Sequence, residues 1–174
     1  AEVFGEFAMF FSDLVSTNRE PAARLLGRVG ALTGVEHLHR LEGGVISLTA
    51  HVGNWDLAGR LLDRSSARPT HVVVAVEEAR ALETWLRRDG DGIRFVPRSD
   101  PTISLVLMAA RRRGEAVALL GDRALGNRGD IQVPFFGRPA PFPVGPFRLA
   151  SASAAPIVPA FCSLDVGHRY KITV

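Results

Sequence analysis

Residues 47–59 read SLTAHVGNWDLAG. An apolar run stops at Ala50, and a histidine, a glycine, an asparagine, a tryptophan and an acid follow within six positions. His51 and Asp56 are five residues apart. On one continuous helix that spacing turns ~500° and leaves the two side chains ~140° apart, so they could not meet. A strand ending near Ala50, a tight bend at Gly53 and a helix starting after Asn54 remove the obstacle. Asn54 suits an N-cap, and Asp56 falls in the first helical turn, where the helix dipole favours an acid. The stretch therefore reads as a strand-to-helix corner that holds an imidazole and a carboxylate at the carboxyl edge of a sheet. A carboxylate accepting from one ring nitrogen fixes the tautomer and leaves the other nitrogen to take a hydroxyl proton. The spacing alone equally allows a loop histidine beside an exposed first-turn acid.

Outward from this corner, strands and helices alternate. VISLTA (45–50), HVVVAV (71–76), IRFVP (93–97) and EAVALLG (115–121) read as strands, and 54–64, 77–90, 100–114 and 146–155 as helices. The helix over 100–114 is punctuated by Asp100 as N-cap, Pro101 at its first position and Gly114 past its end. PIVPAFC (156–162) and HRYKITV (168–174) add strands, and about 122–145 reads as a long Gly/Pro-rich loop. This order implies an α/β fold with a mostly parallel central sheet flanked by helices and ligands at the strands' carboxyl ends. Residues 1–34 read as two helices, over 1–16 and 20–33. The first carries an apolar stripe of Phe4, Phe7, Ala8, Phe11, Leu14 and Val15. Its acids and lack of bases favour packing on the core over lying on a membrane. A single domain is expected over 1–174, with helices in 1–34 and the catalytic α/β part in 45–174. RYKITV ends the chain as a strand without a following turn, as in an excerpt of a longer protein whose C-terminal part is missing.

Composition narrows the function. The chain has 20 Arg, a single lysine (Lys171) and a net charge of +3 without a dense basic stripe, which argues against a nucleic-acid partner. Arginine forks suit phosphate or carboxylate groups. Cys162 is the lone cysteine and sits in an apolar run, so it reads as a buried structural thiol, with no cysteine zinc cluster. His37 and His39 lack a third metal ligand and read as loop residues; no metal is expected. His71 and His168 belong to no motif. Arg111, Arg112 and Arg113 read as a solvated helix end that suits the negative pole. GDRALGNRGD (121–130) lacks the Gly-Lys-Ser/Thr of a phosphate loop, and no G-x-S-x-G occurs.

The string AHVGNWDLAG resembles the first motif, His-x-x-x-x-Asp/Glu, of the glycerolipid and lysophospholipid acyltransferase superfamily. Its Gly-Asn-Trp-acid form resembles the branch of bacterial lipid A late acyltransferases and phosphatidylinositol mannoside acyltransferases. The resemblance continues in order through VPRSDPTISLVLMAARRRGEAVALLGDR and VPFFGRPAPFPVGPFRLASASAAPIVPAF, covering roughly 45–162.

That resemblance implies an acyltransferase in which His51 is the general base and Asp56 orients it. Arg98 would grip an anionic part of acceptor or donor. Asp122 and Arg123 would bind the acceptor or brace the histidine, a strand-end salt bridge being equally open for them. Asn54 joins these as a substrate-binding candidate, and backbone N–H groups at Gly53 and Trp55 are oxyanion candidates. The implied partners are a lipid or glycolipid acceptor, an acyl thioester donor (coenzyme A or acyl carrier protein) and a membrane surface. No metal or redox cofactor is implied. The implied location is peripheral, on the cytoplasmic face of the bacterial inner membrane. A non-catalytic lipid- or acyl-binding domain and a thioesterase using the same pair are the alternatives.

Overall fold

The computed structural model describes residues 2–17, 20, 22–55, 57–59, 68–75, 92–126, 129–165, 167 and 169–174. Five strands form an all-parallel sheet: β2 (Val45–Thr49), β3 (Thr70–Val74), β4 (Ile93–Pro97), β5 (Ala116–Leu120) and β8 (Ile157–Pro159), in the order β4-β3-β5-β2-β8. A parallel sheet needs cover on both faces, and the pleat supplies it by alternation. Ile46 and Val117 pack with Leu107 and Ala110 of α4 (Ile103–Arg112) and with Leu149 of α5 (Gly145–Ser153). Their neighbours Val45 and Ala116 point the other way, onto Leu38 of α3 (Val35–His39). The α/β reading with a parallel sheet and flanking helices thus holds.

A second sheet has the order β1-β10-β9, with β1 (Val29–Thr33) parallel to β10 (Arg169–Thr173) and β9 (Phe161–Asp165) antiparallel to it. This corrects two expectations. The helix expected over 20–33 is short, α2 (Ala22–Gly27), and the chain then enters β1. The strand expected over 156–162 is two strands, because the chain leaves the large sheet after Pro159 and joins the small one at Phe161.

The expected loop over 122–145 contains a hairpin, β6 (Asp130–Phe135) and β7 (Arg138–Pro143). Four prolines disguise it. With a two-residue turn, Phe135↔Arg138 is the hydrogen-bonded pair, so Pro134↔Pro139 and the positions of Pro141 and Pro143 fall at non-hydrogen-bonded sites. A proline there gives up no ladder bond. The carboxylate of Asp130 accepts from the N–H groups of Leu125 and Gly126 and ties the preceding loop to the hairpin's base.

The first helix is present as α1 (Glu2–Thr17), but its stripe faces outward: Phe4 is 80% and Phe7 65% exposed, with Phe11 and Val15 also exposed. The half-buried face carries Met9, Phe10, Asp13 and Ser16, and its anchor is polar. Tyr170 donates a hydrogen bond to Asp13, and the Arg28 guanidinium donates to Asp13 at 3.0 Å and to both carboxylate oxygens of Glu20. No helix among the described residues is long and apolar enough to cross a membrane. His37 and His39 lie exposed on α3 rather than in a loop. Helix α4 starts at Ile103; Asp100 caps the turn before it, accepting from Thr102 N–H at 2.8 Å and Thr102 Oγ1 at 2.7 Å. The arginines at its carboxyl end are not simply solvated: Arg111 donates to the Ala154 carbonyl and Arg113 to Glu115. The helix expected over 77–90 and His168 lie outside the described residues.

At the amino edge of the sheet, buried His71 Nε2 lies 2.7 Å from Glu115 Oε2, and Arg113 donates two further bonds to that carboxylate. Hydrogen bonds from Arg113, then from His71, outweigh the cost of burial and hold the Glu115 carboxyl down at about 2. A carboxyl depressed in the folded state stabilises fully above its ordinary value of 4.5, and the contribution is lost as pH falls towards 2. Glu115→Gln should therefore lower Tm by about 3–6 °C at pH 7. In paired melts of wild type and variant, that difference should shrink below pH 4.5 and vanish near pH 2.

Candidate active site

Strands β2 and β5 run parallel with Thr49 opposite Leu120, and the Gly121 N–H donates to the Thr49 carbonyl at 2.9 Å. Two residues beyond each strand end, the same register sets His51 beside Asp122. The carboxylate grips the histidine twice: Oδ1 lies 2.9 Å from His51 Nδ1, and Oδ2 accepts the His51 backbone N–H at 3.1 Å. Partial burial works against the charge on Asp122, but the hydrogen bonds from His51's ring and backbone outweigh it and hold the carboxyl below its ordinary value. An ionised carboxylate can only accept, so Nδ1 carries the ring proton and Nε2 is left basic. Both side chains keep partial access to solvent, 28% for His51 and 32% for Asp122.

The corner after β2 forms as expected. Gly53 has φ +57°, and a Cβ there would sit 1.9 Å from the carbonyl oxygen of Cys162. Glycine is thus required twice, for the left-handed backbone and for the close approach of β9. Asn54 is fully buried and its side-chain oxygen accepts the Leu57 N–H at 3.0 Å, an N-cap for the helical turn that includes Trp55 and Leu57–Gly59. Leu57 and Ala58 pack on Cys162, Tyr170 and Ile172 of the small sheet. Cys162 is wholly enclosed, and burial pushes its thiol up to about 11, as befits a structural residue.

A cavity of about 490 Å³ opens at the carboxyl ends of the parallel strands. His51, Arg98 and Arg123 provide its polar wall, and Leu107, Leu119 and Leu149 line it with hydrocarbon. Trp55 borders it as well. Arg98 is delivered by the end of β4, its backbone N–H donating to the Val74 carbonyl at 2.8 Å. His51, Trp55, Arg98 and Arg123 therefore share one cavity, with Asp122 braced against the histidine. Gly53 and Asn54 are instead engaged behind the corner, with Cys162 and Leu57. Asp56 lies outside the described residues. The apolar lining was not anticipated residue by residue; its signal is the spacing of Ile103 and Leu107, which puts one face of α4 over the ends of β3 and β5. Among the described residues, no three His, Cys, Asp or Glu side chains cluster as metal ligands would.

A family model described as bacterial lipid A biosynthesis acyltransferase matches residues 1–174. The chain belongs to the bacterial lipid A biosynthesis acyltransferase family. It is similar to a phosphatidylinositol mannoside acyltransferase of Mycobacterium tuberculosis, 31% identical over 168 residues, in both strain CDC 1551 / Oshkosh and strain ATCC 25618 / H37Rv. That alignment covers 92% of this chain and 52% of the relative. A protein of the same name from Mycolicibacterium smegmatis is 28% identical over 124 residues, 70% of this chain and 40% of the relative. The chain thus spans about half the length of the curated relatives it matches.

In this family member the site depends on Gly53. Gly53→Ala forces a Cβ into a backbone carbonyl and should destabilise by roughly 2–4 kcal/mol. Gly59→Ala, with nothing within 4 Å of the added Cβ, is the control and should leave denaturant melts almost unchanged.

Proposed function

We propose that the chain is the catalytic part of an acyltransferase that moves a fatty acyl group from an acyl thioester to a hydroxyl of a lipid or glycolipid acceptor. The observation that carries this reading is the His51–Asp122 pair, 2.9 Å apart, at an apolar cavity with two arginines on its wall. Nε2 of His51 takes the proton of the acceptor hydroxyl as its oxygen attacks the thioester carbon. Asp122 stabilises the imidazolium that forms. The tetrahedral intermediate collapses with loss of the thiolate, which recovers the proton from His51. Backbone N–H groups near Gly53 and Trp55 are the proposed donors to the oxyanion. This chemistry asks for a base, oxyanion donors and positioning, so no metal or redox cofactor is included.

The hydrocarbon wall suits the acyl chain, in a volume within the ~300–1,000 Å³ usual for ligand sites. Arg98 and Arg123 suit a phosphate, which a planar fork binds through two parallel bonds. The relatives are named for phosphatidylinositol mannosides, and an anionic glycolipid of that kind is the acceptor class we infer. Such an acceptor resides in a membrane, which supports a peripheral enzyme on the cytoplasmic face of the inner membrane. Asp122 is the orienting acid in this reading, and Asp56, five positions after the histidine, is the second acid we propose for that role.

The test incubates the full chain with acyl thioesters and a bacterial lipid extract, following free thiol and acylated lipid by mass spectrometry. Thiol release matched by a new acyl-lipid, abolished in His51→Ala, is expected. Thiol release with free fatty acid alone would make the protein a thioesterase. Asp122→Asn should lower kcat about 10²–10⁴-fold with KM little changed, since the carboxamide cannot stabilise the imidazolium. An unchanged kcat would remove Asp122 from the mechanism.

A further inference from the structure

We propose that the β6–β7 hairpin docks the protein on an anionic bilayer, with Phe136 at its tip entering the lipid interface. The inference rests on the lipid-acceptor reading above and assigns the surface through which the membrane is met.

The hairpin turns on two residues, Phe136 at φ +49° and Gly137 at φ +76°, both in the left-handed region of a type I′ turn. Asn or Gly is the favoured residue at the first of these positions, and a bulky side chain there is strained. Burial does not explain the choice either, because Phe136 is 93% exposed. Neither the turn nor the core calls for phenylalanine, so the ring serves a contact outside the chain. Its surroundings extend the same surface. The Phe135 ring centroid lies 4.6 Å from that of Phe136 and 5.3 Å from that of Phe142, and Phe135 and Ile131 are exposed. Strand alternation puts Ile131, Phe135, Arg138 and Phe142 on one face of the ribbon. The prolines of the other face hold the ribbon stiff before it meets anything.

Charge selects the partner. From 131 to 164 the sequence contains no Asp or Glu, and its charged residues are Arg138, beside the turn, and Arg148, on α5. Both are exposed. Aromatic rings with Arg138 beside them and no acid at the tip match an interface of hydrocarbon and anionic headgroups. The hairpin is also connected to the site: β7 runs into Pro143 and Gly145, which border the cavity. The tip lies roughly 17 Å along the ribbon from Pro143, at ~3.3 Å per residue. A hairpin seated in the interface therefore brings the cavity close to membrane lipid.

The experiment is flotation of the full chain with vesicles of phosphatidylcholine alone or mixed with phosphatidylglycerol. Phe136→Asn keeps the turn, because asparagine is favoured there, so its melting temperature should not fall. Its partition onto the mixed vesicles should drop about tenfold, the lower end of what burying a phenylalanine contributes. Arg138→Gln should reduce the preference for mixed over neutral vesicles several-fold. With Phe136→Trp, emission above that of the chain's two native tryptophans should shift to the blue on vesicle addition and be quenched by brominated lipid. Flotation of Phe136→Asn equal to wild type, or an unquenched Phe136→Trp, overturns the proposal. So does a wild-type dimer that Phe136→Asn dissolves while neither protein floats, which would make the hairpin a self-association surface. Turnover of a detergent-dispersed acceptor separates the two readings. Retained turnover with Phe136-independent flotation sinks the docking surface alone; Phe136-dependent flotation without turnover sinks the transferase alone.

Discussion

A carboxylate can serve a histidine 71 residues away only if two strands hold their register. In this protein the ladder that pairs Thr49 with Leu120 does so, and its next two steps deliver His51 and Asp122 side by side. A slip of one residue would turn every side chain of β2 to the opposite face. Val45 and Ile46 prevent it, since each is buried against a different layer of helix. The packing of two apolar side chains thus fixes the geometry of the histidine–carboxylate pair at the other end of the strand. The cavity depends on the same register, because its polar and apolar walls come from adjacent strand ends.

Strand β5 is bounded by two histidine–carboxylate pairs, and their difference is instructive. At its amino end, Glu115 is engaged by His71 and Arg113 together, and the free ring nitrogen of His71 is enclosed. No substrate could reach that nitrogen. At its carboxyl end, Asp122 is engaged by His51, whose ring borders a cavity. The chemistry of the pairs is alike; access separates a structural clamp from a candidate base. Spacing in a sequence cannot make that distinction, because access is a property of the assembled layers.

What the sequence disclosed was local. The glycine, the asparagine cap and the end of the apolar run identify the corner after β2, and β-branched runs identify the parallel strands. Arg98 and Arg123 were legible through the family resemblance, which marks charged positions just past two of the strands. What stayed hidden was non-local or disguised by composition. Asp122 could be seen as a candidate, but its choice between acceptor and histidine is decided by a partner far away in the chain. Strand β1, with its Gly30 and Ala31, has little β propensity and exists because β10 pairs with it. The hairpin was masked by prolines, which punctuate loops unless they all fall at sites that need no N–H.

Helix α1 shows why a stripe gives a helix but not its orientation. Periodicity alone turns Phe4, Phe7, Phe11 and Val15 inward. The structure turns Asp13 inward instead, where Tyr170 and Arg28 satisfy it, and the phenylalanines follow the rotation outward. An acid with two strong partners anchors the helix more firmly than the apolar stripe, because leaving that carboxylate unpaired on the inner side would cost more than exposing rings. The chain therefore presents aromatic rings on two surfaces, and charge distinguishes them. The sequence of α1 carries acids and no base, whereas the hairpin has Arg138 beside its turn, and its one acid, Asp130, sits at the base with its carboxylate held by the N–H groups of Leu125 and Gly126. Anionic headgroups repel the first arrangement and attract the second. The surface with the stronger claim on a bilayer is thus the short ribbon beside the cavity, not the longer and more conspicuous helix at the amino terminus.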